Sequence, residues 1–318
     1  MRSAIGLGAM GMSDFYGPAD EQQSIATVHA ALEAGITLID TGDFYGMGHN
    51  EMLLREALKG SKRENVVLSV KYGAQRGADG AFIGFATDPA ATKTALAYTL
   101  KRLGVDYIDI YRPARVSPFV PIDDTIGAIS DLVKQGYVRH IGLSEAGAAN
   151  IRRAHAVHPI VDLQIEYAMI TRTVEREILP TLRELGIGVT AYGVLSRGLI
   201  SESALQGGSI SGFRSHTPRF QGENLNKNLE LVRALKAISD EKGCTVAQLA
   251  IAWVLSRGDD IIPLIGARKR ERLAEALGAF DITLTPEELK RIDAAAPPEA
   301  VAGTRYAPEQ MAMLDSER

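Results

Sequence analysis

Only one of the 318 residues is a cysteine, Cys244, which excludes a disulfide within the chain and any cysteine-based metal cluster. That scarcity fits a reducing compartment, the cytoplasm. An excess of either charge is also lacking. Thirty-five Lys and Arg face 39 Asp and Glu, a formal net charge of −4, so no basic footprint for nucleic acid or an acidic membrane is present. No apolar run approaches the ~18–20 residues of a membrane span, and Met1-Arg2-Ser3-Ala4-Ile5-Gly6 leaves no room for a signal-peptide core. Low-complexity tracts and linker-like stretches are missing too, so residues 1–318 read as one domain. What remains, 46% hydrophobic and 23% charged, is the composition of a well-packed globular protein whose partner is a small molecule.

Two kinds of segment alternate along this chain. Short β-branched or apolar runs fall at Ala4–Met10, Ile36–Thr41, Val66–Lys71, Tyr107–Tyr111, Val138–Ser144, Val161–Tyr167, Gly188–Tyr192 and Ile261–Gly266. Between them lie stretches with apolar residues at three-four spacing: Asp20–Ala34, Asn50–Lys59, Asp88–Leu103, Asp123–Gln135, Ala148–Val157, Thr173–Leu185, Asn226–Lys242 and Lys269–Leu277. Strand followed by helix, repeated about eight times, predicts parallel strands joined by crossover helices. Gly35, Gly60, Gly104, Gly136, Gly186 and Gly243 follow helical stretches, where helix C-caps favour glycine. Eight units in one chain favour a closed (β/α)8 TIM barrel, with two further helices at Thr245–Arg257 and Thr285–Ala296.

A dinucleotide-binding open sheet is the competing fold. Gly6-Leu7-Gly8-Ala9-Met10-Gly11 has roughly its glycine rhythm, and Asp40 ends the second strand. However, Met12, Ser13, Phe15, Tyr16, Gly17 and Pro18 separate those glycines from the helix that would have to receive the pyrophosphate, and the reading fails there. Long segments at 73–87, 112–121 and 197–223 all follow strands, which puts them at the barrel's C-terminal face, where active sites sit.

Asp40 and Lys71 end neighbouring strands, and Tyr45 lies on the loop after Asp40. Each alone is unremarkable: strand-end aspartates cap turns, and lysines there are usually solvated. Together they form a device. A phenol of pKa near ~10 is a reluctant acid near neutrality. A cation beside it favours phenolate, and a carboxylate keeps that cation charged and oriented. Such a tyrosine can protonate an alkoxide as hydride arrives.

The segment Asp40-Thr41-Gly42-Asp43-Phe44-Tyr45-Gly46 with Asn50-Glu51, then Val66–Tyr72, Ile141-Gly142-Leu143-Ser144, Leu163-Gln164-Ile165-Glu166-Tyr167, Thr190–Gly198 and Ile262–Leu277 resemble the aldo-keto reductases over essentially the whole chain. The resemblance implies NADPH, a TIM barrel and reduction of an aldehyde or ketone by hydride transfer. It makes Tyr45 the acid, with Asp40 and Lys71 as the other catalytic residues. It implies that Ser144 and Gln164 hold the nicotinamide carboxamide, that the ring stacks on Tyr192, and that Gly193, Leu195, Ser196 and Arg197 neighbour the pyrophosphate. Gly11 and Met12, past the first strand, and Asp40 join the implied cofactor contacts. Arg268, Lys269, Arg270 and Arg272 crowd a helix start after Gly266, unfavourable there unless an anion binds. The resemblance assigns this region the adenosine 2′-phosphate, with Arg268 and Arg272 as its guanidinium forks and Glu275 at the adenine. No metal is implied.

Two departures stand out. Glu145 replaces an asparagine common in the family. More consequentially, Tyr111-Arg112-Pro113-Ala114-Arg115 puts Ala114 where the family has a catalytic histidine. Losing one such hydrogen-bond donor costs ~10²–10³ in rate if nothing replaces it. Three readings follow: Arg112, Arg115 or a loop histidine (His49 or His216) supplies the donor; the space admits an unusual substrate such as an enone; or the chain binds NADPH as a sensor or partner subunit with little turnover. The barrel-floor hairpin usual in the family is short or missing here, so a C-terminal segment or a second subunit of a homo-oligomer would cover the floor. Loops carrying Phe15, Tyr16, Phe82, Phe85 and Phe213 would shape the substrate site.

Overall fold

The computed structural model describes residues 5–61 and 63–318. Ten strands run β1 (Gly6–Gly8), β2 (Leu38–Gly42), β3 (Val67–Tyr72), β4 (Ala74–Arg76), β5 (Phe82–Phe85), β6 (Ile108–Pro113), β7 (Val138–Ser144), β8 (Ile160–Glu166), β9 (Gly188–Tyr192) and β10 (Ile261–Gly266). Eight of them close a parallel barrel in the order β1-β10-β9-β8-β7-β6-β3-β2, and β4 and β5 form a separate antiparallel hairpin. The predicted (β/α)8 barrel is therefore the observed fold. The hairpin fills the long segment after β3. The first strand is shorter than predicted, and Ala4 and the expectation of a short or missing floor hairpin lie outside the described residues.

The helices are α1 (Glu21–Glu33), α2 (His49–Ala57), α3 (Pro89–Leu103), α4 (Ile122–Lys134), α5 (Ala148–Val157), α6 (Ile178–Leu185), α7 (Glu202–Leu205), α8 (Gly222–Lys242), α9 (Val246–Leu255), α10 (Arg270–Leu277), α11 (Pro286–Ala295) and α12 (Pro308–Met311). After β1 the chain makes a single 3₁₀ turn and reaches α1 only at Glu21, capped by Asp20, so no helix N-terminus meets the first glycines. The β9-to-β10 crossover holds both α8 and α9. Eight of ten α9 residues are buried, against five of 21 in α8. α9 lies against β10 and α10, whereas α8 packs on α7, α9 and α11. The added helix of this crossover is thus α8, rather than 245–257 as the periodicity suggested: a helix apolar all round belongs beneath another layer.

Side chains alternate across each strand, and here the two faces differ sharply. Outward positions such as Ile39, Leu68, Val70, Leu143, Leu163 and Val189 are buried under the helices. The inward positions are unusually polar. Gln164 on β8 donates to Asp40 on β2, 2.7 Å away, although β2 and β8 are not neighbours, so this bond crosses the lumen. Arg112 on β6 reaches Asp162 on β8 at 2.5 Å and Ser69 on β3 at 2.9 Å. Gly142 on β7 makes room for it, since a Cβ there would lie 3.1 Å from the guanidinium carbon. Ser69 in turn donates to Asp40 at 2.9 Å, and Thr190 on β9 donates to Asp162. A buried arginine is tolerable only when paired and hydrogen-bonded, and this network supplies those partners.

The chain after α11 does not cover the floor. Residues 301–318 run over the C-terminal mouth, where Arg305, Tyr306, Asp315 and Ser316 bond to groups at the ends of β7 and β9. Among the described residues no helix is long and apolar enough to cross a membrane.

Candidate active site

Asp40 and Lys71 meet at the mouth as the sequence predicts. Lys71 Nζ donates to Asp40 Oδ2 at 2.5 Å and to the Thr41 carbonyl at 3.2 Å. Asp40 Oδ1 accepts from Ser69 and Gln164, so two other strands, β3 and β8, hold one carboxylate of β2. The Lys71 ammonium also sits 4.9 Å from the centre of the Tyr45 ring. All three side chains are buried.

The Tyr45 loop is fastened from both sides. Asn50 accepts from Thr41 at 2.6 Å and donates to the Ala9 carbonyl and Ser13 Oγ at 2.9 and 2.7 Å. Asp14 receives the Gly46 amide at 3.2 Å and Arg76 at 2.5 Å. Gly46 and Met47 both take left-handed backbone angles, which turns the chain sharply after the phenol. Phe44 packs on Tyr45 edge-on at 4.8 Å, and Phe15 does so at 6.4 Å.

The electrostatics differ from the expected device in one respect. Burial pushes the Tyr45 hydroxyl well above its ordinary pKa, and the negative charge of Asp40 adds to that effect. Burial lowers Lys71, opposed by Asp40. The carboxylate is a neighbour of the phenol as well as of the amine, and its repulsion joins desolvation in favouring the protonated form. Tyr45 therefore rests as a phenol.

A second cluster lines the same mouth. Glu145, left-handed at φ 52°, is fully buried just beyond β7. Arg305 grips it with two bonds of 2.8 and 2.5 Å, and Ser316 and the Tyr192 hydroxyl donate to it at 2.5 and 2.6 Å. Burial alone would raise its pKa, but the Arg305 guanidinium holds it well below the usual carboxylate range. Tyr192 and Tyr306 share a hydroxyl–hydroxyl bond of 2.9 Å. Arg197 pairs with Glu166 at 3.1 Å, also donates to the Arg305 carbonyl, and stacks 4.3 Å over the Tyr306 ring. The tail is thus strapped to the ends of β7, β8 and β9. Reading the sequence missed Arg305, Tyr306 and Ser316 altogether; the one available signal was Glu145, a carboxylate at a position where an amide was expected.

The other implied cofactor residues ring this mouth. Ser144 and Gln164 are buried at the ends of β7 and β8, with the Gln164 amide engaged by Asp40. Met12 is in the core, and Gly11 lies beside Tyr16. Gly193 and Leu195 follow β9 in a tight turn. At the end of β10, a Cβ on Gly266 would meet only open space. Arg268 clasps the Tyr16, Gly17 and Pro18 carbonyls at 3.1–3.2 Å, and Arg272 pairs with Glu275 at 2.8 Å. Among the described residues, Arg268, Lys269 and Arg270 have no carboxylate partner. This uncompensated positive patch next to open space fits a phosphate-bearing dinucleotide.

Neither histidine candidate for the Ala114 gap is buried in the site. His49 is exposed and bonds Ser13 at 2.9 Å, and His216 is exposed. Arg112 is consumed by the lumen network. Of the loop aromatics, Phe213 packs on Phe15 and Tyr306, building a rim beside Tyr45, while Phe82 and Phe85 pack on each other in the hairpin.

Comparison with known proteins agrees with this geometry. The sequence model of the Aldo/keto reductase family matches residues 4–297. The glycerol dehydrogenase AKR11B4 from Gluconobacter oxydans is 29% identical, with a TM-score of 0.84 over 93% of this chain and 92% of that one. The aldo-keto reductase AKR11C1 from Bacillus halodurans, in its holo form, is 26% identical with a TM-score of 0.76 over 93% and 92%. The thermostable aldo-keto reductase Tm1743, solved with the inhibitor epalrestat, is 28% identical with a TM-score of 0.74 over 92% and 94%.

Proposed function

The chain belongs to the aldo/keto reductase family and is an oxidoreductase, and from that premise we propose that it reduces an aldehyde or ketone to the alcohol, using NADPH, with Tyr45 as proton donor. The observation that carries the reading is the buried Asp40–Lys71 pair at 2.5 Å with its ammonium against the Tyr45 ring. A buried lysine paired with a buried carboxylate is costly to build for structure alone, and perturbed titratable groups concentrate at functional sites.

In this reading a nicotinamide cofactor, when bound, would supply the hydride for the carbonyl carbon. Tyr45 gives its proton to the oxygen as charge gathers there. Lys71 stabilises the resulting phenolate, and Asp40, fixed by Ser69 and Gln164, keeps Lys71 charged and aimed. The Phe15, Phe213 and Tyr306 rim excludes water from the reacting centre. Ser144 and Tyr192 would orient the nicotinamide, and Arg268 and Arg272 would receive the 2′-phosphate and favour NADPH over NADH.

The test follows NADPH oxidation at 340 nm across aldehydes, ketones and enones, comparing the parent with Tyr45→Phe. The expected loss is ~10²–10⁴-fold in kcat with the cofactor affinity unchanged. A Tyr45→Phe enzyme as fast as the parent removes the proposed acid. Tight NADPH binding with no turnover on any carbonyl by the parent replaces this reading with a binding module.

A further inference from the structure

We propose that Arg115 supplies the second hydrogen bond to the substrate's carbonyl oxygen, standing in for the imidazole that Ala114 lacks. The inference rests on the carbonyl-reductase reading above and identifies the second member of its machinery for the oxygen.

Ala114 continues β6 beside β3: its amide donates to the Tyr72 carbonyl at 2.8 Å, one residue past Lys71, which pairs in register with Arg112. Position 114 therefore abuts the Asp40–Lys71–Tyr45 cluster, and its methyl group is almost wholly buried. The Arg115 side chain folds back over this position, with Nη1 donating to the Ala114 carbonyl at 2.6 Å. That fold keeps a guanidinium beside position 114 and within electrostatic reach of Tyr45 and Lys71. Its charge is felt at both Tyr45 and Lys71, lowering the pKa of each, and is felt in turn by Tyr192, Tyr306 and Glu145 across the mouth.

The pairing pattern singles this arginine out. Arg112 has Asp162, Arg197 and Arg219 share Glu166, and Arg305 has Glu145. Among the described residues Arg115 alone of these five has no carboxylate within ion-pair distance. A half-buried guanidinium with spare N–H groups lacks an anionic acceptor, and the oxygen of a carbonyl becomes one as hydride adds to its carbon. The electron pair of the C=O bond moves to that oxygen, the proton comes from Tyr45, and Arg115 only donates a hydrogen bond, keeping its own protons. A permanently charged donor differs from imidazole in one measurable way: it does not titrate in the range where an enzyme is stable.

The experiment uses the full chain with NADPH and two probes of similar shape, benzaldehyde and 4-carboxybenzaldehyde. Arg115→Ala is expected to lower kcat ~10²–10³-fold on both aldehydes, with less change in KM and no change in Tm. Free guanidinium ion should restore part of the rate. Placing the imidazole back, as Ala114→His in the Arg115→Ala background, should restore most of it. Arg115→His should acquire an inflection near pH ~6.5 that the parent lacks. The proposal is overturned if Arg115→Ala turns over uncharged benzaldehyde within two-fold of the parent while Tyr45→Phe is inactive. It is equally overturned if the defect is confined to the carboxylated aldehyde, which makes Arg115 an anchor for a substrate anion. A parent inert toward every carbonyl brings down the reductase reading itself, a result distinct from either.

Discussion

Substituting Asp162→Ala isolates the charge network inside the barrel without touching any residue at the mouth. Among the described residues Asp162 is the one carboxylate on Arg112, at 2.5 Å, and it also accepts from Thr190. Without it the fully buried guanidinium keeps only the Ser69 hydroxyl at 2.9 Å and the Leu143 carbonyl at 3.3 Å, and its Nε already lacks a partner. Breaking one side of a buried pair costs about 3–5 kcal/mol, because the remaining charge is stranded. With an unfolding entropy of roughly 2.1 cal/mol/K per residue, a chain of this length loses about 4–8 °C in Tm. Differential scanning calorimetry reads this directly. The companion variant Arg112→Met/Asp162→Leu removes both charges and should recover most of the loss, as apolar replacement of whole buried pairs does. An Asp162→Ala protein melting within about 1 °C of the parent would refute the claim that this pair is dry and coupled.

Arg268→Ala with Arg272→Ala should weaken NADPH at least ten-fold more than NADH by fluorescence titration, a discrimination of about 1.4 kcal/mol; equal losses would remove the phosphate assignment. Glu145→Gln should free the strap, read as faster proteolysis within residues 301–318. Because the Glu145 pKa is depressed in the folded protein, its stabilisation is present above the ordinary glutamate range and is lost only as the pH falls through the lower folded value. Hydrogen exchange of the strap should therefore be equally protected at pH 5 and pH 7, and loosening at pH 5 would contradict the pairing. Asp43 behaves oppositely: burial raises its carboxyl from 3.8 to about 7, so the folded protein holds a proton there and stability falls as pH rises through that window. Asp43→Asn should gain in Tm relative to the parent between pH 5 and pH 8, and a flat difference would count against it.

Much of this was legible in the sequence because it is local. β7, β9 and β10 begin and end where the apolar runs do, and the strand-end positions of Asp40 and Lys71 placed them at one mouth. Arg112 was misjudged as a candidate donor because its partner, Asp162, is 50 residues away and only barrel closure brings the two together. Parity along β6 would have shown Arg112 facing the lumen, but not what met it there. The strap was harder still: 301–318 has no sustained periodicity, and Arg305 meets Glu145 across 160 residues of chain. The hydrophobicity of α9 was visible, yet its meaning depended on α8 lying over it, which is a tertiary fact.

The strap also sets an order of events during synthesis. All eight barrel strands are complete once Gly266 has been made, so the cylinder can close while the rest of the chain is still in the ribosome. Glu145, by contrast, has the Tyr192 hydroxyl and the Glu166 amide from the barrel itself but waits for Arg305 before its charge is paired. Until then, a nascent barrel carries at its open end a carboxylate without its guanidinium partner. The working cleft is thus the last part to mature, and a polypeptide cut off after α11 would fold a barrel with an unfinished entrance.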